Sequence, residues 1–149
     1  MKIVTNKNTI TVKWPKPAKR LKVKKKLNRV KKTSIKKLKK ELMELVKAYV
    51  KKRDNYTCQK CEKKIEGSNC QASHVFPVSS GNRLAFDPMN IKVLCCHCHL
   101  NWWHKNPTQS GVWFRRKFPE RYKYLDERKH EIVKWKEIDY RIQIDNFKK

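Results

Sequence analysis

The sequence has few acidic residues and no long apolar run. Its 149 residues include 39 Lys and Arg but only 13 Asp and Glu, which gives a formal net charge of +26 at pH 7. Hydrophobic residues make up 38% of the chain, which is too few for a uniformly globular protein of this charge. No stretch of about 18 apolar residues is present, so the composition argues against a membrane-spanning helix and a membrane partner.

Positive charge is concentrated in the first third of the sequence. Residues 1–53 hold 21 Lys and Arg against two acidic residues, or +19 of the total +26. A basic segment attracts polyanions and releases their counterions on binding, so nucleic acid is the expected partner. We expect residues 1–33 to form a flexible DNA-binding arm; a charge run that only aids solubility is the alternative. The candidate phosphate contacts on this arm are Lys22, Lys24, Lys25, Lys26, Arg29, Lys31 and Lys32.

Apolar side chains recur at helical spacing directly after this arm. The pattern predicts an amphipathic helix over residues 34–53, with Ser34 as its N-cap. Its apolar face contains Ile35, Leu38, Leu42, Leu45, Val46, Tyr49 and Val50. We expect this face to pack on the folded body that follows.

Shorter elements are expected in the second half of the chain. Residues 71–78 and 91–94 have the composition of strands, and residues 98–105 are predicted to form a helix that Asn106-Pro107 ends. Another helix is expected from Pro119 to about residue 129. Residues 138–144 alternate like a strand, but their charged residues also permit a helix.

Four of the six cysteines form two C-x-x-C pairs, Cys58 with Cys61 and Cys95 with Cys98. Such a turn places two thiolates on one side of a tetrahedral ion, so the two pairs predict a closed structural Zn²⁺ site. So small and polar a body needs this metal to remain folded. The sequence lacks a secretory apolar segment, which favours reduced thiolates in a cytoplasmic setting over three disulfides. Cys70 is expected to be a small buried or partly exposed residue. Cys96 and His97 are the alternative ligands in the second knuckle, and the C-x-x-C register favours Cys95 and Cys98 over them.

Two histidines and an asparagine accompany the cysteine pairs. Hydrolysis of a phosphodiester near neutral pH needs a base to activate water, and a histidine suits this task. It also needs a cation that stabilises charge on the phosphorane and the leaving oxygen. His74 lies in the first predicted strand, Asn90 precedes the second, and His99 begins the next helix. We therefore expect these three residues to converge on one small cleft.

These residues resemble the HNH, or ββα-metal, nucleases of the zinc-knuckle type. The family pattern is a histidine followed by proline and small residues, then Asn-x-x-x-Leu-Cys-x-x-Cys-His, and the chain follows it over residues 58–101. The resemblance implies a small α+β fold with a zinc-stapled treble-clef or ββα-metal core, an N-terminal amphipathic helix and a C-terminal helical tail. It also implies that His74 is the general base, that Asn90 ties the loop and orients this base, and that His99 binds a catalytic Mg²⁺ or Mn²⁺.

A wider likeness covers residues 35–130 and includes Ala72-Ser73-His74 and the run from Arg83-Leu84 to Phe86-Asp87. These features resemble the phage lambda NinG (Rap) recombination proteins. The resemblance implies an endonuclease for Holliday junctions and displaced strands, of phage origin and acting in the bacterial host cytoplasm. It implies a nuclease domain over residues 34–130 with its core at 58–105, and a C-terminal extension over 131–149. The sequence leaves open whether the protein forms a homodimer.

One position departs from the family pattern. Many HNH nucleases carry an acid or a histidine directly before the base, as a second metal ligand, whereas this chain has Ser73. A serine hydroxyl is a poor ligand for a hard cation, so Asp87, His104 or water is expected to complete the set around His99. His104 lies five residues after His99, about 140° away on a regular helix, which favours a surface histidine near phosphate.

Two further residues are candidates for contact with nucleic acid. The guanidinium of Arg83 can bridge two phosphate oxygens, with an ordinary surface arginine as the alternative. Trp102 can stack on an exposed base, although adjacent tryptophans more often divide between core and surface.

Three classes of function fit the sequence. The first is a metal-dependent DNA endonuclease, either specific for branched DNA or a sequence-specific or homing-type nicking enzyme. The second is a non-catalytic zinc-knuckle protein that binds nucleic acid, and Ser73 is the best argument for it. The third is an RNA-binding or ribosome-associated zinc protein, which the charge and the cysteine pairs alone support.

Overall fold

The computed structural model describes residues 5–6, 9–10, 34–80 and 82–149, and the chain divides into two units at Thr33 and Ser34. In the first unit the backbone of β1 (Thr5–Asn6) pairs antiparallel with β2 (Thr9–Ile10). The basic residues expected on the arm lie outside the described residues; they are Lys22, Lys24, Lys25, Lys26, Arg29, Lys31 and Lys32.

The second unit begins with α1, which spans Ile35–Arg53 and confirms the helix predicted from apolar spacing. Ser34 caps this helix because its side-chain oxygen accepts a hydrogen bond from the backbone N–H of Lys37. Basic side chains in the last turn complement the negative end of the helix dipole. The apolar face is buried at Leu38, Leu42, Val46 and Val50.

A two-stranded antiparallel sheet forms the centre of this unit. β3 (Cys70–His74) pairs with β4 (Ile91–Cys95), with Cys70 opposite Cys95 and His74 opposite Ile91. Both strands lie where the sequence predicts them, although β3 ends four residues before the predicted limit. Cross-strand partners share a face, so Gln71, Ser73, Lys92 and Leu94 lie on one face and His74 lies on the other.

Four helices follow the sheet. They are a π-helix at Cys98–Trp103, α2 at Pro107–Lys117, α3 at Pro119–Asp126 and α4 at Glu137–Lys148. Within residues 34–80 and 82–149, single turns of 3-10 helix occur at Gly67–Asn69, Val78–Ser80, Arg83–Phe86 and Pro88–Asn90. The helix predicted over residues 98–105 forms at Cys98–Trp103 and has ended before Asn106-Pro107, as expected. Pro107 begins α2, because the first helical position does not need the N–H that proline lacks.

The stretch that the sequence left ambiguous forms α4. Its inner face buries Tyr140 and Ile144, and its end packs on α1, where the rings of Tyr49 and Phe147 meet edge to face with centroids 5.6 Å apart. Residues 131–149 therefore belong to the same compact unit as the preceding helices.

In its described part, the second unit is a small α+β fold with five helices and one two-stranded sheet. Its core lies between α1, the sheet and the later helices, and its fully buried members include Leu42, Val46, Ile91, Val93, Leu94, Phe114 and Leu125. Within the described ranges, none of the helices has both the length and the apolar composition that a membrane span requires.

Candidate functional site

The four paired cysteines come together at one end of the sheet. The Sγ atoms of Cys58, Cys61, Cys95 and Cys98 all lie within 4.8 Å of one another, and none forms a disulfide. Two sulfurs bound at about 2.3 Å to one tetrahedral ion lie about 3.8 Å apart. The Sγ atoms of Cys61 and Cys95 are 3.9 Å apart, so the four cysteines are placed to hold a structural metal ion such as zinc.

The thiols of this cluster are in different electrostatic environments. Burial opposes ionisation of Cys58, but backbone hydrogen bonds from Cys61, Cys95 and Lys60 lower its pKa to about 7. Burial instead raises the pKa of Cys98. A bound cation favours the thiolate form of every ligand, so metal binding at this cluster releases protons.

The other two cysteines lie outside the cluster. Cys70 is 4% exposed, as expected for a small buried residue, and burial raises the pKa of its thiol. Cys96 is half-buried, and its backbone N–H donates to the side-chain oxygen of Asn69. The pairing register predicted from the sequence thus identifies the four cysteines that meet.

His74 is the last residue of β3, and its side chain is held by the backbone. Its Nε2 lies 3.0 Å from the carbonyl oxygen of Ala85. A carbonyl oxygen only accepts, so Nε2 carries the proton, and no hydrogen bond to Nδ1 is formed among the residues that the structure describes. Burial lowers the pKa of His74, and the charges of Lys92 and Lys47 lower it further. The imidazole is therefore neutral near pH 7, as a general base must be.

Asn90 joins two segments of the chain that lie between β3 and β4. It is fully buried, and its Oδ1 accepts a hydrogen bond of 2.8 Å from the backbone N–H of Phe76. Its Nδ2 donates to the carbonyl oxygens of Phe76 at 3.0 Å and Leu84 at 3.1 Å. These bonds fix the loop that follows His74 and the turn that contains its carbonyl partner.

Two arginines hold the backbone around Asn90. Arg53 donates to the carbonyl oxygens of Pro88 at 2.6 Å and Ile91 at 2.8 Å. Arg121, from α3, donates to the carbonyl oxygens of Met89 and Ile91. Burial lowers the pKa of Arg121 to about 9, which leaves it protonated at neutral pH. Arg121 was not anticipated from the sequence, because its position follows only from the packing of α3.

The two histidines of the π-helix meet. The backbone N–H of His104 donates to the carbonyl oxygen of His99 at 3.2 Å, five residues earlier, and their Nε2 atoms are 2.9 Å apart. The separation of about 140° expected for a regular helix is wrong, because the wider π turn brings residues five apart onto one side. Two nitrogens at about 2.1 Å from one ion, at right angles, lie about 3.0 Å apart. The pair is therefore suitably placed to bind one divalent ion.

Gln71 orients this pair of histidines. The role of Gln71 was not anticipated from the sequence. Its Oε1 accepts a short hydrogen bond from Nδ1 of His99. An amide oxygen cannot donate, so Nδ1 of His99 carries the proton and Nε2 presents its lone pair towards His104. Burial and the charge of His104 lower the pKa of His99, which favours the neutral form that a metal ion requires.

The other expected ligands are held elsewhere. Ser73 is 3% exposed, and its hydroxyl donates to the carbonyl oxygen of His74. The carboxylate of Asp87 accepts hydrogen bonds of 2.8 Å from the backbone N–H of Met89 and from the hydroxyl of Tyr124. Burial raises the pKa of Asp87. Among the described residues, no cluster of three or more His, Cys, Asp or Glu ligands includes His99.

Lys92 lies under the site and was not anticipated from the sequence. Its side chain is fully buried, with Nζ 3.0 Å from the centroid of the Trp103 ring and 3.3 Å from the carbonyl oxygen of His74. Burial lowers the pKa of Lys92 well below 10.5. Its charge also contributes to the lowered pKa values of His74 and His99, so its ammonium group lies within electrostatic reach of both histidines.

We expect Lys92→Met to alter the pH dependence of stability. Between the lowered pKa of folded Lys92 and the 10.5 of an ordinary lysine, the unfolded chain binds the extra proton, so the free energy of unfolding rises with pH. The variant should lose this rise and should be about 1 kcal/mol more stable at pH 7, because it buries no charge. Urea unfolding across this pH range measures both effects.

Lys60→Met is the matched control for this prediction. Lys60 also lies over a tryptophan, with Nζ 4.5 Å from the Trp102 ring, but it is only half-buried. Its replacement should leave the pH dependence of unfolding unchanged. Equal pH slopes for wild type and Lys92→Met would contradict the assignment.

The two candidate contacts for nucleic acid already have partners. The Arg83 guanidinium is 44% exposed, and its Nε lies 3.0 Å from a carboxylate oxygen of Glu131. Trp102 is half-buried, with Lys60 over its ring and the edge of Trp113 at a centroid distance of 5.2 Å. Either residue would have to exchange a contact within the protein for one with DNA.

Comparison of the chain with models of known protein families, with curated protein sequences and with solved structures finds no match.

Proposed function

We propose that this protein is a metal-dependent DNA endonuclease of the HNH type that acts on branched recombination intermediates. The observation that carries the proposal is the constraint on His74, whose Nε2 is bonded to the Ala85 carbonyl while Nδ1 forms no hydrogen bond with any described residue. Asn90 fixes the loop that follows this histidine. Gln71, on the opposite face of the sheet from His74, holds the pair of His99 and His104. A base and a candidate metal site are thus held by one small sheet and the helix after it.

His74 performs the proton transfer in this proposal. Its Nδ1 accepts a proton from a water molecule while the water oxygen forms a bond to phosphorus, and the bond from phosphorus to one ester oxygen breaks. The neutral imidazole that this step requires is favoured by burial and by the charges of Lys92 and Lys47, which lower the pKa of His74. The bond from Nε2 to Ala85 fixes the ring, and it also stabilises the imidazolium that forms.

His99 and His104 are the residues that would hold the catalytic ion. When bound, Mg²⁺ or Mn²⁺ supplies positive charge that stabilises the phosphorane and the leaving oxygen. Two imidazole nitrogens without a carboxylate suit a transition ion better than Mg²⁺, so Mn²⁺ is the better cofactor in this proposal. Gln71 contributes by fixing the tautomer of His99.

The cysteine cluster holds structural zinc in this proposal. Cys58 and Cys61 follow α1, whereas Cys95 ends β4 and Cys98 begins the π-helix that carries both histidines. Zinc between these segments joins the helix of the candidate site to the end of α1. The metal therefore keeps the π-helix in place while taking no part in the reaction.

The substrate class rests on charge and on resemblance. A net charge of +26 favours a polyanion, and the likeness to NinG proteins points to branched DNA in preference to the site of a nicking enzyme. A non-catalytic zinc protein that binds nucleic acid is the second candidate. The observation in its favour is Ser73, which is buried where many HNH nucleases have a metal ligand.

A cleavage panel tests the proposal. We expect the protein with Mn²⁺ to cut Holliday junctions and displaced-strand forks faster than a duplex of the same sequence at the same salt concentration. A chelator should abolish cleavage. If junction, fork, duplex and single strand all remain uncut with either Mn²⁺ or Mg²⁺, the result would support the non-catalytic alternative. Equal cutting of junction and duplex would favour a nicking enzyme.

A further inference from the structure

A groove beside the candidate site consists of two clefts. The first has a volume of about 360 Å³ and lies between the residues that follow His74 and helix α2. Phe76 and Tyr122 are among its lining residues, together with Gly111 and Arg115 of α2. Its volume falls within the range of about 300–1,000 Å³ that is typical of ligand pockets.

The second cleft continues along the outer face of α2. It measures about 530 Å³, and Trp113 and Arg116 are among its lining residues. Thr108 and Val112 line both clefts, so the two form one groove that crosses α2. The lining of the groove begins at Val75, the residue after the candidate base, and includes the basic last turn of the helix.

We propose that this groove binds an unpaired nucleotide of the DNA substrate, with its base in the first cleft and its flanking phosphates at the basic end of α2. The position of the groove beside the cleaved bond rests on the proposed function. The groove adds to that function a subsite for single-stranded DNA. Cleavage of branched DNA would then depend on a nucleotide that has left the base stack.

The aromatic lining of the first cleft suits a base. The rings of Phe76 and Tyr122 are both half-buried, and their centroids are 5.8 Å apart in a tilted arrangement. Every nucleobase has an apolar ring face that stacks on such side chains without regard to sequence. A concave site of this kind admits a base only after it has left the duplex stack, which favours an unpaired nucleotide over a paired one.

The charge of the groove complements phosphate. Arg115, Arg116 and Lys117 form the last turn of α2 and are all exposed. No acidic side chain is among the residues that line the two clefts. Within the described residues, Lys117 pairs with Glu62, whereas no ion pair involves Arg115 or Arg116. Two guanidiniums without acidic partners are thus placed to bind phosphodiester oxygens.

Gly111 provides a way to block the groove without disturbing the core. A Cβ added at this position would meet no atom within 4 Å, and the residue lies inside a helix, where alanine and leucine are both more favourable than glycine. Gly111→Leu fills part of the first cleft, and Gly111→Ala is its matched control. Both variants should melt at or above the temperature of the wild type.

Binding of two DNA probes tests the proposal without using cleavage. One probe is a fork with 2-aminopurine as the first unpaired nucleotide, and the other is the fully paired duplex of the same sequence. Fluorescence anisotropy at one salt concentration should give a Kd for the fork that is roughly tenfold weaker for Gly111→Leu than for Gly111→Ala. The two variants should bind the duplex equally. Binding of Gly111→Ala to the fork should change the emission of 2-aminopurine, whereas binding of Gly111→Leu should not.

Arg115→Gln provides a second measurement that does not depend on filling the cleft. It should weaken fork binding and reduce its salt dependence by about one counterion, whereas Lys123→Gln, an exposed change on α3, should not weaken it selectively. Equal fork affinity for the two Gly111 variants would overturn the proposal, as would an equal loss on fork and duplex. Tighter binding of an RNA fork, lost in Gly111→Leu, would overturn the assignment to DNA. A selective loss on the DNA fork in a protein that cuts nothing would support the groove and reject the nuclease.

Discussion

Cys98→Ser should leave the protein without a cooperative folded state. The sulfur of Cys98 is buried in the four-cysteine cluster that connects the end of α1, the end of β4 and the start of the π-helix. A structural zinc ion contributes about 10–16 kcal/mol in zinc-finger peptides, whereas a whole domain is stable by only about 5–15 kcal/mol. Circular dichroism on heating should therefore show no sharp transition, and the variant should retain no stoichiometric zinc.

Cys96→Ser is the control for this prediction. Cys96 lies within the same knuckle but outside the cluster, and its contact with Asn69 uses the backbone N–H. This variant should bind one zinc ion and melt close to the temperature of the wild type. The cluster is not a metal site if Cys98→Ser and Cys96→Ser match in melting temperature and in metal content. Removal of metal from the wild type by a chelator should reproduce the effect of Cys98→Ser.

Features set by local spacing were predictable from the sequence. The apolar positions of α1 repeat every three or four residues, and Leu38, Leu42, Val46 and Val50 are buried as that period requires. The C-x-x-C turns likewise fix which sulfurs approach one another, and the four predicted cysteines meet. The helical period and each C-x-x-C turn are local features. The two cysteine pairs meet only through packing, but their shared preference for one tetrahedral ion makes that meeting predictable.

The form of the helix after the second cysteine pair was not predictable in this way. Residues five apart lie on different sides of an α-helix, but a π turn brings them together, as it does His99 and His104. Nothing in the local sequence distinguishes these helix types, because propensity and apolar spacing are similar for both. The consequence is chemical, since the helix type decides whether the two imidazole rings lie on the same side of the helix.

Residues that support the site from other elements were missed for a related reason. Gln71, in β3, accepts a hydrogen bond from His99. Lys92, in β4, donates to the carbonyl oxygen of His74. Arg121, in α3, donates to the carbonyl oxygen of Ile91. Each contact joins segments that lie far apart in the sequence, and its partner is usually a backbone carbonyl, which carries no sequence pattern. A buried lysine in particular runs against the expectation that lysines face solvent.

His74→Ala should reduce the rate of DNA cleavage by about a thousandfold. A positioned general base contributes about 10²- to 10⁴-fold to a reaction of this kind, and His74 is the histidine whose ring is fixed through Nε2. The effect should appear in the single-turnover rate with Mn²⁺ and saturating enzyme, because in the proposed mechanism the substitution removes proton transfer and leaves the basic surface unchanged. His130→Ala, an exposed change after α3, is the control and should cut at the rate of the wild type.

The pH dependence of the rate separates a catalytic role of His74 from a structural one. A general base acts when it is neutral, and burial lowers the pKa of His74 below 6.5, so the wild-type rate should rise with pH through a midpoint below pH 6.5 to a plateau. The residual rate of His74→Ala should lack this acid limb, while its Kd for an uncut junction at matched salt should stay within about twofold of the wild type, because no phosphate contact is removed. An unchanged rate in His74→Ala would show that another group activates water. A slower rate that keeps the wild-type acid limb would place His74 in the structure of the site and not in the reaction.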